Sequence, residues 1–161
     1  MRQIRNGVFE TNSSSTHSIS INNTTLMDSE LIIDEFDGYI YVSLEEFCHW
    51  DHSSQNDRLA WLIQTIACSI DGNMFWCSND KEWKEAAEKL YNHEDFQRLS
   101  NEIAGYVGNG CNGIRVEERS EGYIDHESQY GSLNDFLWNY DTSILEFVFG
   151  KNVYLHFEFN G

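Results

Sequence analysis

The segment 57–70 constrains the fold most, because its apolar residues recur at the spacing of an α-helix. These residues are Leu59, Leu62, Ile63, Ile66 and Ile70. They fall on one side of a helical wheel, and the Asp71-Gly72-Asn73 segment that follows is typical of a helix end. The chain therefore contains a helix whose apolar side must be covered by other parts of the protein.

Four further helices are predicted from capping residues and apolar spacing. Ser78 or Asn79 begins a helix that buries Trp83, Ala86, Ala87 and Leu90, and the next buries Phe96, Leu99, Ile103 and Tyr106 and ends at Gly108. Ser43-Leu44-Glu45-Glu46 is a capping-box pattern and predicts a short helix. Ser132-Leu133-Asn134-Asp135 predicts another, which runs to Tyr140.

Short alternating or β-branched runs on both sides of this region predict strands. They lie at 3–9, 18–21, 31–33, 39–42, 114–117, 122–125, 145–149 and 153–159. The turn at Asp37-Gly38 would join the third to the fourth, and Gly150-Lys151-Asn152 would join the last two in a hairpin. With no proline in the chain, Gly, Asn, Asp and Ser must form the turns.

This order predicts one α+β domain over residues 1–161, with a mostly antiparallel sheet and helices packed on one face. Its parts are N-terminal strands 3–42, a helical middle 43–108 and C-terminal strands 112–160. No apolar run is long enough to span a membrane, and the first residues lack the apolar core of a signal peptide. We therefore expect no membrane association and a location in the bacterial cytoplasm, where the four cysteines stay reduced.

The net charge of −17 limits the kinds of partner. The acidic residues are spread along the chain, so the whole surface should be negative. Such a surface opposes direct binding of nucleic acid and of anionic membranes, and it favours basic proteins. The same charge also has a simpler interpretation, which is that it keeps the protein in solution.

The polar stretch 9–18, FETNSSSTHS, is the first candidate site. Its hydroxyl groups and backbone N–H groups could hold an anion, and His17 could transfer a proton near neutral pH. Alternatively, the stretch is a crossing between two strands whose hydroxyl groups bond to its own backbone. The predicted ligand-binding residues here are Arg5, Glu10, Thr11, Asn12, Ser13, Ser14 and Ser15.

A second candidate site is Asp125-His126-Glu127-Ser128. On a strand His126 and Ser128 would share one face, where they could meet His17 and form a cluster suited to acid–base or hydrolytic chemistry. The predicted catalytic residues are then His17, Asp125 and His126, with Ser128 binding the ligand. The alternative is a solvent-exposed strand end.

A zinc site at Cys48-His49-x-x-His52 with Cys68 or Cys77 is disfavoured, because the paired C-x-x-C motifs of zinc ribbons are missing. We therefore predict no metal and no cofactor. The tryptophans, among them Trp76 and Trp138, are expected mostly in the core, although exposed ones are typical of protein interfaces.

The segment R-N-G-V-F-E-T-N-S-S-S-T-H-S at 5–18 resembles the N-terminal signature of small phage and prophage proteins of low-GC bacteria. The segment GYIDHES at 122–128 is similar to a second motif of that group. The resemblance implies an origin in a phage or mobile element and a site shared by the two motifs. It implies no particular reaction.

Two functions are consistent with these features. The first is an acidic phage-derived protein that inhibits a basic host defence protein, such as a CRISPR nuclease, by mimicking nucleic acid. The second is a small enzyme or ligand-binding protein for a nucleotide or other phosphate-bearing molecule, built on the two motifs. The charge favours the first, and the oligomeric state stays open.

Overall fold

A computed structural model describes residues 2–7, 14–21, 25–47, 50–72, 74–124 and 130–160. Its strands are β1 (Arg2–Gly7), β2 (Ser14–Ile21), β3 (Tyr39–Val42), β4 (Glu46–Phe47), β5 (Trp50–His52), β6 (Gly113–Val116), β7 (Tyr123–Ile124) and β8 (Val153–Asn160). Its helices are α1 (Gln55–Ile70), α2 (Asp80–Tyr91), α3 (Glu94–Val107), α4 (Leu133–Asn139) and α5 (Ile144–Phe149). The predicted α+β class is confirmed.

The main sheet is antiparallel and has the strand order β1-β2-β8-β5. Ile19 of β2 pairs with Leu155 of β8, and both side chains are buried. Ser18 pairs with His156 on the opposite, outer face, where His156 is exposed. Because faces alternate along a strand, one face of the sheet covers the core and the other meets solvent.

Two pairs of short strands are parallel, which the sequence did not predict. β3 pairs with β6, and β4 pairs with β7. The segment 31–33 contributes only a single bridge, between Ile33 and Ile40, instead of the predicted strand of a hairpin. The predicted strands at 114–117 and 122–125 correspond to β6 and β7, and each of these pairs with the 39–47 region.

Helix α1 lies at the centre of the fold. Every residue from Arg58 to Ala67 is buried, so the helix is covered all round and not only along the predicted apolar stripe. Ser54 caps its first turn: the Ser54 hydroxyl accepts from the Asp57 N–H, and the Asp57 carboxylate accepts from the Ser54 N–H. This reciprocal cap fixes Asp57 at the start of the helix.

Helices α2, α3 and α4 confirm three predicted helices. Asn79 is the N-cap of α2, Ser132 is the N-cap of α4, and Gly108 ends α3. Three of the four residues predicted to be buried in α3 are buried, whereas Tyr106 is only partly covered, and all four in α2 are buried. Among the described residues, no helix combines the length and the apolar character needed to cross a membrane.

The helix predicted after Ser43 is wrong. Residues 46–47 form β4, and Leu44 enters the core. The Glu45 N–H donates to Oε1 of Gln64, and the Glu45 carbonyl accepts from Nε2 of the same side chain. Gln64 of α1 therefore holds this segment in an extended conformation. The N-cap of the next helix, α1, is Ser54 and not Ser43.

The strand predicted at 145–149 is also wrong, because these residues belong to α5. The Ser143 hydroxyl caps the helix by accepting from the Glu146 N–H. Ile144, Phe147 and Val148 are fully buried. A continuous apolar run has no period that separates a buried strand from a buried helix, so the cap decides the structure.

The buried side chain of Arg58 links the end of α5 to the start of α1. Arg58 is 8% exposed, and its Nη1 donates to the carbonyl of Gly150 at 2.8 Å. Its Nε donates to the carbonyl of Ser53 at 3.1 Å. The guanidinium thus satisfies carbonyls that a helix end and a loop leave without partners.

Candidate functional site

The second half of the polar N-terminal stretch, residues 14–18, belongs to strand β2. β2 begins at Ser14 and lies between β1 and β8, where His17 is opposite Asn6 on one side and Phe157 on the other. The backbone of residues 14–18 therefore pairs with neighbouring strands, and the binding of an anion by this stretch stays a prediction. Arg5 lies in β1 opposite Ser18.

The other residues of the two predicted motifs lie outside the described ranges. These are Glu10, Thr11, Asn12, Ser13, Asp125, His126 and Ser128. Their assembly with His17 into one site therefore stays a prediction. The described chain reaches Ile124, which pairs with Phe47 in the β4–β7 ladder.

The structure brings together a different set of chemically active groups, namely Glu45, His52 and Asp57. One ligand atom from each lies within 4.8 Å of the others. The residues come from three places: the segment before β4, the end of the edge strand β5, and the first turn of α1. We refer to this group as the Glu45 cluster.

His52 is held in the cluster by its strand and by two rings. It pairs with Leu155 of β8, so its side chain lies on the core face of the sheet. The ring centroids of Phe47 and Phe157 lie 4.9 Å and 5.8 Å from that of His52. Nδ1 of His52 is 3.1 Å from Oε2 of Glu45.

Burial raises the pKa of Glu45 to about 8, and the hydrogen bond to Asp57 and the charge of Asp57 add to this effect. Burial also acts to raise the pKa of Asp57. Hydrogen bonds from Glu45 and Ser54 outweigh it and hold that pKa below its usual value. At neutral pH Glu45 is therefore the protonated partner, and its proton links the two carboxyl groups.

A second histidine with two carboxylates lies on the outer face of the same sheet. Nδ1 of His156 is 2.5 Å from Oδ1 of Asp51, and its Nε2 is 3.0 Å from Oε1 of Glu158. Hydrogen bonds to Glu158 and Asp51 raise the pKa of His156. Because the two carboxylates bond opposite nitrogens of the ring, they cannot bind the same ion together with it.

A third feature is an exposed tryptophan among carboxylates. Trp76 is 75% exposed and borders a crevice whose lining includes Asp71. Gly122, the neighbour of Glu121, lines the same crevice, and Ser78, whose N–H donates to the Glu82 carboxylate, lies two residues after Trp76. We call Asp71, Trp76, Glu82 and Glu121 the Trp76 surface.

The segment that carries Glu121 is docked on α2. Nε1 of Trp83 donates to the carbonyl of Ser120 at 3.0 Å, and Arg119 pairs with Asp80. Glu82 is fixed as well, because its carboxylate accepts from the Ser78 N–H. The acidic groups beside Trp76 are therefore held by the backbone and not by flexible tails.

Two of the described cations are held by carbonyls or by aromatic rings. Arg58 is buried against carbonyls, and the guanidinium of Arg115 lies 4.4 Å and 4.5 Å from the ring centroids of Tyr39 and Tyr91. Lys81 and Arg98 are exposed, but each pairs with a carboxylate one helical turn away. Across the described surface, exposed carboxylates outnumber exposed cations.

Sequence reasoning missed Glu45 and Asp57 and named His52 only in the disfavoured zinc pattern, because the three residues have no recognisable spacing. The pattern Ser54-x-x-Asp57 is a capping signal that could have located Asp57 at a helix start. No such signal marks Glu45.

No protein-family model, curated protein or solved structure matches the chain.

Proposed function

We propose that this protein binds a basic, nucleic-acid-binding protein of a bacterial defence system and occupies the surface on which that protein holds nucleic acid. The observation that supports the proposal best is the excess of carboxylates on the described surface. Carboxylates spaced over a rigid fold can take the place of phosphates, and a net charge of −17 attracts a basic partner over long distances.

The Trp76 surface is the proposed point of closest contact. An exposed indole beside fixed carboxylates suits an arginine side chain, which can stack on the ring while its N–H groups bond to the acids. Large aromatic residues are also frequent among the residues that dominate binding energy in interfaces. In this contact Trp76 would supply most of the binding energy. Selectivity for arginine would come from the carboxylates of Asp71, Glu82 and Glu121.

Capture from a bacterial host lysate on the immobilised protein tests the proposal. The expected result is a basic nucleic-acid-binding protein that duplex DNA or RNA displaces, since both occupy the same surface. Trp76→Ala should reduce capture several-fold. Trp138→Ala is the matched control, because Trp138 is 89% exposed on α4, outside the Trp76 surface, and its loss should have no effect.

Two results would contradict the proposal. If the captured protein binds nucleic acid and this protein at the same time, mimicry is excluded. If Trp138→Ala reduces capture as much as Trp76→Ala, the Trp76 surface is not the contact.

A further inference from the structure

We propose that Glu45, His52 and Asp57 bind one divalent transition-metal ion. The three ligand atoms already lie within 4.8 Å of one another, and the His52–Glu45 pair is at 3.1 Å. Ligand atoms on a tetrahedral ion with bonds of about 2.1 Å are about 3.4 Å apart. Small side-chain rotations would therefore complete the site, without movement of the backbone.

The residues behind the ligands hold them in place. Gln64 fixes Glu45 by bonding to both its N–H and its carbonyl. The Ser54 N–H donates to Asp57, and the rings of Phe47 and Phe157 restrict His52. Such supporting contacts are typical of metal sites, where they orient the ligands before the ion arrives.

The charges of the cluster also favour a cation. Two carboxyl groups share a half-buried position, where a bound cation would offset the repulsion between their charges. Arg58 follows Asp57 in the chain, but its guanidinium is directed to the carbonyls of Gly150 and Ser53. One divalent ion would neutralise both carboxylates at once.

The ligand types indicate which ions fit. One imidazole nitrogen with two carboxylate oxygens suits Zn²⁺, Co²⁺ or Mn²⁺, whereas Ca²⁺ and Mg²⁺ prefer oxygen ligands alone. The side chains of Glu45 and His52 are 25% and 16% exposed, so an ion can reach the site from solvent. Three protein ligands leave a coordination position for water or for a ligand group.

The test is a titration of the full-length protein with Zn²⁺ after treatment with EDTA and desalting. Isothermal titration calorimetry should give one site per chain. Co²⁺ should produce the visible absorption of a bound ion with a nitrogen ligand. Glu45→Gln and Asp57→Asn should each weaken the affinity at least about tenfold and remove the Co²⁺ absorption.

His156→Gln is the matched control, because His156 also contacts two carboxylates but on opposite ring nitrogens. It should bind Zn²⁺ as the wild type does. Absence of binding at one site per chain would overturn the proposal. So would wild-type affinity in both Glu45→Gln and Asp57→Asn, or equal loss in His156→Gln, because the ion would then associate with the acidic surface in general. Circular dichroism of each variant separates loss of the site from loss of the fold.

Discussion

Replacing Glu45 with glutamine should change how stability depends on pH. The pKa of Glu45 is raised from 4.5 to about 8 in the folded protein, so folding favours the protonated form. The stability from this group is fully present below pH 4.5 and is lost as the pH rises through about 8. Asp57 acts in the opposite direction at lower pH, because its lowered pKa gives stability that is lost only under acidic conditions.

The size of the effect follows from the shift and from the exposure of the pair. Each pKa unit corresponds to about 1.4 kcal/mol, which would convert the full shift into several kcal/mol. Because the pair is half-buried, solvent screening reduces this, and we expect about 1–2 kcal/mol between pH 5 and pH 9. Glutamine at position 45 is neutral throughout, and its amide can still donate to Asp57.

The assay is urea unfolding in the presence of EDTA, for the wild type and for two variants. Glu45→Gln should match the wild type near pH 5 and exceed it by about 1–2 kcal/mol near pH 9. Glu46→Gln is the control, since Glu46 is the exposed neighbour and near pH 9 its substitution changes the net charge equally. If the wild type and Glu45→Gln lose stability in parallel, or if Glu46→Gln gives the same gain, the assignment of the proton to Glu45 is wrong.

Three further predictions concern groups that hold the fold together. Arg58→Met should lower the free energy of unfolding by about 2–4 kcal/mol in urea titrations, because the carbonyl of Gly150 loses its donor inside the protein. Gln64→Leu should cost about 2 kcal/mol in the same assay and also weaken Zn²⁺ binding, because both backbone groups of Glu45 lose their partner. Because its pKa is raised in the folded protein, His156 stabilises the fold only while its ring is charged, and the melting temperature should fall as the pH rises through that pKa. In His156→Ala this fall should be smaller.

Helix existence could be predicted wherever an apolar stripe met a start or stop signal. The stripes of α1 and α3 are followed by stop signals and that of α2 is preceded by a cap, and all three helices are present. The two Ser-Leu motifs show the limit of caps alone: Ser132 begins α4, but Ser43 begins no helix. What separates them is Gln64, which bonds to the backbone of Glu45 from a distant part of the chain. A local pattern cannot report such a contact.

Strand pairing and the Glu45 cluster could not be predicted from the sequence for the same reason. The parallel pairing of β3 with β6 joins segments separated by the three long helices. Glu45 meets Asp57 because Gln64 of α1 holds the segment before β4 against that helix, which depends on the three-dimensional path of the chain. The polar stretch 9–18 was conspicuous in composition, yet Ser14 to Ser18 turned out to be an interior strand.

The salt dependence of binding tests the central claim most directly. The dissociation constant of the captured partner should rise at least about tenfold between about 50 and about 300 mM salt, because charge attraction is screened. Glu121→Lys should weaken binding more than Glu35→Lys, an exposed control with the same change in net charge. A dissociation constant that stays constant across this range, or equal effects of the two substitutions, would contradict the account.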